Sequence, residues 1–137
     1  MTQTQTQTQT STSTSIETTV DGYFAIWNEA DPARRRARLA AVWSPQASYV
    51  DPMFTAAGLD ALDGLVGGLH QNYPGHTFRR TGALDVHHDR ARWGWDFVGP
   101  YGSLVMSGID VAILDADGRL RDVTGFFQPP AASGQAA

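Results

Sequence analysis

Cysteine is absent from this 137-residue chain, which excludes disulfides, thiolate nucleophiles and cysteine metal ligands. Redox chemistry therefore does not fix a compartment. No charged-then-apolar leader opens the chain, so the cytoplasm is the expected location. Lysine is absent as well. All ten basic residues are arginine, and with fourteen acidic residues they leave a net charge of −4. An acidic chain without a second basic patch or an aromatic platform argues against nucleic acid as a partner. No apolar run approaches the ~20 residues of a membrane-crossing helix, so no membrane partner is expected. The four histidines show neither H-x-H nor H-x-x-x-H spacing, so no metal site is expected. There is no G-x-S-x-G, and "GLVGG" lacks the strand–turn–helix setting of a phosphate loop, so no cofactor is expected either.

What is present divides into three parts. Residues 1–15, mostly "TQTQTQTQTSTSTS", carry neither charge nor a regular apolar pattern and read as a disordered tail. Residues 16–128 read as one domain. Residues 129–137 read as a flexible C-terminal tail.

The domain opens with helical periodicity. Ile16, Val20, Tyr23, Phe24 and Trp27 form one apolar stripe over about 16–28. "ADP" at 30–32 breaks the helix. Asp31 is then an N-cap with Pro32 at the first helical position of a second helix running to about Trp43. Its Arg34, Arg35, Arg36 and Arg38 are expected mostly on the outer side. "QASYVD" at 46–51 reads as a short strand, and "GLDALDGLVGGLHQNY" as a third helix. The period then changes to that of strands. "HTFRRTGALDVHH", "ARWGWDFVG", "SLVMSGIDVAILD" and "RLRDVTGFFQ" read as four strands, with "DADG" a strong hairpin signal. Helices followed by a run of strands predict an α+β fold: a strongly bent antiparallel sheet whose open side is covered by three N-terminal helices around a conical cavity.

Three residues stand out chemically. Asp110 is the only ionisable side chain in "LVMSGIDVAIL" and alternates with Leu104, Met106, Gly108, Ala112 and Leu114. If that face points inward, its carboxyl is paired, neutral or open to a cavity, and burial raises its pKa. If the face points outward, Asp110 is an ordinary solvated residue. Tyr23 lies on the apolar stripe, where its hydroxyl needs a partner, either a functional one or backbone in an ordinary core. Asp51 precedes Pro52, which favours extended backbone and places Asp51 on the face of Tyr49. It is either a base directed into a pocket or a turn residue ending the strand. Trp93, Trp95 and Phe97 share one strand face with Ala91 and suit a core or a pocket wall. Asp96 faces the other way. His87 and His88 sit at a turn, and His70, at the end of the third helix, either caps that helix or reaches a pocket rim as a proton carrier.

The order of elements, with "YFAIWNEAD" on a helix, "ASYVDP" on a strand and "GIDV" on a late strand, resembles the nuclear transport factor 2-like superfamily, including SnoaL-like polyketide cyclases and ketosteroid isomerases. The resemblance covers about residues 16–128. It implies that Asp51 is a general base and that Tyr23 and Asp110 are the donors to an enolate oxygen. It also implies a pocket wall of Trp93, Trp95, Phe97, Val123, Gly125 and Phe127. Trp27, Tyr49, Met106 and His70 complete the expected substrate-binding set. A dimer through the convex sheet face is common in the superfamily and is expected here.

The expected function is cofactor-independent proton transfer on a small apolar carbonyl compound: isomerisation, cyclisation or dehydration. Two alternatives stay open. One is a non-catalytic ligand-binding or protein-interaction domain of the same fold. The other is an epoxide hydrolase, which needs carboxylates bridged by arginine around a water.

Overall fold

The computed structural model describes residues 16–128. The expected tails, 1–15 and 129–137, lie outside the described residues.

Helix α1 covers residues 16–27. Its stripe is buried as the periodicity predicts, with Ile26 added to Ile16, Val20, Tyr23, Phe24 and Trp27. Helix α2, Pro32–Val42, begins as expected: the Asp31 carboxylate accepts from the Arg34 N–H at 2.8 Å, and Pro32 occupies the first turn. It stops at Val42, because Trp43 is already extended (φ −105°, ψ 148°) and opens strand β1, Trp43–Val50. The strand is thus longer at its start than "QASYVD" suggested. Strand β2, Thr55–Ala57, was not foreseen. Its three residues are too few for a readable pattern, and pairing with β1 holds them. Helix α3, Leu59–Asn72, buries Leu62 and Val66.

Strands β3 (Thr77–His87), β4 (Arg90–Val98), β5 (Leu104–Leu114) and β6 (Leu120–Gln128) follow one another as antiparallel neighbours. The sheet order is β2-β1-β6-β5-β4-β3. Four of its five pairings are antiparallel, as expected. The fifth is not: β1 runs parallel to β6, with Tyr49 beside Val123. The α+β architecture is therefore three helices on a curved, mixed, six-stranded sheet. Irregular pairing between Thr81 and Asp85, with Gly82 at φ 67°, bends β3. A second irregularity, where Phe97 pairs with Met106 but Val98 with Leu104, leaves Val105 as an extra residue near the start of β5.

The core lies between the helices and the inner face of the sheet, where Trp43, Trp93, Leu39, Leu62, Leu120 and Val123 are almost fully buried. The arginines of α2 need one correction. Arg34, Arg36 and Arg38 are exposed, but Arg35 is 5% exposed. Its guanidinium donates to Asp63 at 2.6 Å and to the Glu29 carbonyl at 2.9 Å, joining α2 to α3 and to the end of α1. A charge can be buried there because it is both paired and hydrogen-bonded. No helix among the described residues is long and apolar enough to cross a membrane.

Candidate active site

Strand β5 settles the orientation of Asp110. Gly108, Asp110, Ala112 and Leu114 face inward, and Asp110 is 4% exposed. Both its oxygens are engaged. The Tyr23 hydroxyl lies 2.7 Å from Oδ2, and Trp95 Nε1 donates to Oδ1 at 3.1 Å. Tyr23 is therefore not bonded to backbone as in an ordinary core. α1 projects it across the interior onto a strand 87 residues away in sequence. Burial is the main reason that the Asp110 carboxyl is pushed up to about 7. Hydrogen bonds from Tyr23 and Trp95 pull it down in part, and the nearby charge of Asp51 pushes it up. Burial and the Asp110 charge hold the Tyr23 hydroxyl well above its ordinary range.

Asp51 lies just beyond the end of β1. Its Oδ1 accepts from the Met53 and Phe54 N–H groups at 2.8 Å each, and its own N–H bonds the Phe54 carbonyl. This is a side-chain-closed turn of the kind aspartate favours. The Tyr49 hydroxyl donates to Oδ2 at 2.6 Å. Asp51 is thus a turn residue and a residue of the site at once, not a continuation of the strand. Burial, then the charge of Asp110, then the bond to Asp51 raise the Tyr49 pKa above its ordinary value.

Gly125 on β6 is where these groups meet. A Cβ there would lie 3.0 Å from Asp110 Oδ1, 3.2 Å from the Asp51 Cβ and 3.4 Å from the Tyr49 hydroxyl. A side chain at Gly125 would press on the Asp110 carboxylate, the Asp51 Cβ and the Tyr49 hydroxyl at once, so the glycine leaves these three groups their room. Of the three residues singled out as chemical, Asp51 and Asp110 therefore come together over one point, and Tyr23 joins them through Asp110.

An aromatic wall surrounds the point. Tyr23 touches Trp93 and Trp27 edge-on, with centroids 5.1 and 6.2 Å apart. Trp27 packs on Tyr49 at 5.5 Å, and Trp95 on Phe127 at 5.8 Å. Phe97 belongs to the same face and packs on Phe78 at 4.5 Å. Met106 pairs with Phe97 across the strands and is half-buried. Val123 lies deeper, 1% exposed, beside Tyr49 in the register. His70 does not cap α3. Its Nε2 bonds the Trp27 carbonyl at 2.9 Å, tying α3 to the last turn of α1. No hydrogen bond joins it to Asp51, Asp110 or Tyr23 among the described residues.

Several features escaped the sequence. Trp95 was expected as apolar wall, yet its indole N–H grips Asp110. Tyr49 was expected to contact substrate, yet its hydroxyl holds Asp51. Phe78 joins the wall by contacts to Trp27, Trp95 and Phe97. Asn28 fixes that strand by donating to the Phe78 carbonyl and accepting from its N–H, both at 2.8 Å. Only Phe78 left a signal, as an apolar residue on a strand between polar neighbours.

Elsewhere, a depression of about 670 Å³ opens on the outer face over Thr81, Gly82, Asp85, Asp96 and Ser107. Its carboxylates are held by Arg79, Arg92 and Ser107 and are not those of the inner site. Among the described residues, no group of three or more histidine, aspartate or glutamate side chains is arranged to hold a metal ion.

No family model and no curated protein matches the chain. Solved structures do. A "putative isomerase of the SnoaL-like family" from Agrobacterium tumefaciens superposes with a TM-score of 0.80 at 33% identity, covering 84% of this chain and 98% of that one. A protein of unknown function with a cystatin-like fold from Methylobium petroleophilum superposes at 0.70 with 20% identity, covering 90% of this chain and 82% of that one. A "putative SnoaL-like polyketide cyclase" from Jannaschia superposes at 0.62 with 15% identity, covering 80% of this chain and 85% of that one. The last two likenesses establish the cystatin-like fold alone. The first, with its identity and nearly full coverage, adds the family: this chain belongs to the SnoaL-like family.

Proposed function

We propose that the protein is a cofactor-independent proton-transfer enzyme acting on a small apolar carbonyl compound, as an isomerase, cyclase or dehydratase. The observation that carries this is the convergence of Asp110 and Asp51, two differently held acidic residues, over Gly125. In the proposed reaction Asp51 takes a proton from the carbon next to the carbonyl. Tyr23 and Asp110 act in series on the oxygen. Trp95 is a donor only, so Asp110 Oδ1 accepts, and the proton of neutral Asp110 sits on Oδ2. The Tyr23 hydroxyl, which donates to Oδ2 in the free protein, turns round in the proposed reaction: it accepts from the Oδ2–H and directs its own O–H to the developing enolate. A donor fixed in a dry, aromatic site stabilises that charge without reorganising. The isomerase and cyclase names of the structural relatives agree with this class of chemistry.

One observation favours a second reading, a non-catalytic ligand-binding domain. Asp51 already accepts three hydrogen bonds, which suits a turn as well as a base. The epoxide-hydrolase alternative has less support, because the ion pairs among the described residues bring no arginine to Asp51 or Asp110. The ligand is proposed to be small and apolar. The convex sheet face, with Phe126 55% exposed, remains the proposed dimer surface.

The test is exchange of the α-hydrogens of β-tetralone in heavy water, followed by NMR. The wild-type protein is expected to accelerate exchange. Asp51→Asn, whose amide oxygen can still accept from the turn N–H groups, is expected to lose about 10³-fold. Equal exchange in both proteins removes Asp51 from the reaction, and no exchange with either favours the binding domain.

A further inference from the structure

Among the described residues, a single buried side-chain polar atom makes no hydrogen bond: Nε1 of Trp93. The residue is 1% exposed, so solvent does not serve it. Buried donors are almost always paired, and an unpaired one calls for a partner that the free chain does not supply. Its position is specific. Trp93 is the direct cross-strand neighbour of Asp110, and its ring lies 5.1 Å from that of Tyr23. Trp95, two residues along the same face, spends its own N–H on Asp110 Oδ1. Trp93 Nε1 is near enough to Asp110 to favour its charged form, but it is not in bonding geometry with it.

The donors in this corner can be counted. The Tyr23–Asp110 pair acts in series, so it delivers one O–H to a bound oxygen. The Trp95 N–H is used. The Trp93 N–H is free and faces the same corner. An indole N–H donates and never accepts, so the group that it meets must carry a lone pair.

We propose that Trp93 is a second direct donor of the site, its Nε1–H bonding the carbonyl or enolate oxygen of the substrate beside the Tyr23 hydroxyl. This rests on the proton-transfer reading above and specifies the ligand: a planar apolar molecule whose reacting end is an oxygen acceptor that gains negative charge. A bond to such an oxygen is charge-assisted and tightens as the charge develops. The Trp93 ring also stands edge-on to Tyr23, where an N–H directed at the ring face would be a purely structural contact. The experiment must separate these roles.

β-Naphthol serves as the probe, as a stable analogue of an enolate, with naphthalene as the same shape without the oxygen. Indole N–H resonances of the full chain are followed by NMR during titration and assigned with single Trp→Phe variants. The Trp93 resonance is expected to move downfield with β-naphthol and hardly at all with naphthalene. Trp93→Phe keeps an aromatic ring in the wall, though a smaller one, and removes the donor, so naphthalene reports the loss of packing alone. It is expected to weaken β-naphthol about tenfold more than it weakens naphthalene. If β-naphthol binds while the Trp93 resonance stays in place, or if both ligands weaken equally in Trp93→Phe, the donor role is overturned and the proton-transfer site stands. If β-naphthol does not bind the wild-type protein at all, both fall. The wild-type titration alone decides the matter should Trp93→Phe fail to fold.

Discussion

Asp110 and Asp51 approach the same point above Gly125 but are held in opposite ways. Asp110 sits mid-strand on a curved sheet, buried among rings, and its partners are side chains from α1 and β4. Asp51 sits in a turn just past a strand, partly exposed, and two of its three partners are backbone N–H groups of its own turn. Backbone and tyrosine donors make Asp51 an acceptor on both oxygens. Burial instead favours the neutral form of Asp110, which can then donate. The difference shows how the element that carries an aspartate decides its surroundings, and in the proposed reaction it divides the two into a proton acceptor and a hydrogen-bond donor.

The comparison can be broken most forcefully at its acceptor. The loss expected for Asp51→Asn, about 10³-fold in α-hydrogen exchange, is the largest effect, and β-naphthol affinity should survive it. Tyr23→Phe comes next. Removing the hydroxyl that bonds Asp110 and, in the proposed reaction, the substrate oxygen should cost roughly a hundredfold in exchange and should weaken β-naphthol. Retention of full activity would mean that Asp110 donates without Tyr23.

The third effect is on stability. The folded Asp110 carboxyl keeps its proton to about pH 7, whereas an unfolded aspartate releases it near 3.8. Between these values the folded state binds more protons than the unfolded one, so stability falls as pH rises through that window. The interval amounts to about 4 kcal/mol. Denaturant unfolding of Asp110→Asn should lack this part of the slope. An identical slope in wild type and variant would show that Asp110 does not titrate abnormally.

Much of this arrangement was legible in the sequence where short-range periodicity carries it. The Ile16-to-Trp27 stripe, the Asp31–Pro32 helix start and the alternation around Trp93, Trp95 and Asp110 are local patterns, and the structure follows them. What was not legible depends on distant or very local geometry. The parallel pairing of β1 with β6 joins Tyr49 to Val123, and nothing near either residue encodes its direction. β2 exists because β1 offers it an edge. The four arginines of α2 read as mostly outward, and Arg35 could not be singled out as the buried one because its partner, Asp63, lies on another helix. Asp51 was weighed as turn or base, and its hydrogen bonds to residues 53 and 54 place it in a turn, with the Tyr49 hydroxyl on its other oxygen. The indoles of Trp93 and Trp95 show the same limit on a finer scale. Alternation puts both on one face, but only the three-dimensional positions distinguish a committed N–H from a free one.

The neutral state of Asp110 is the point on which the mechanism turns, and it can be read directly. Carbon NMR of the Asp110 side-chain carboxyl in the ligand-free protein, assigned by its disappearance in Asp110→Asn, follows that one group across pH. The account predicts a titration midpoint at about 7. A midpoint near the ordinary value of 3.8 would contradict it, because Asp110 would then be ionised at neutral pH and could not lend its proton to Tyr23.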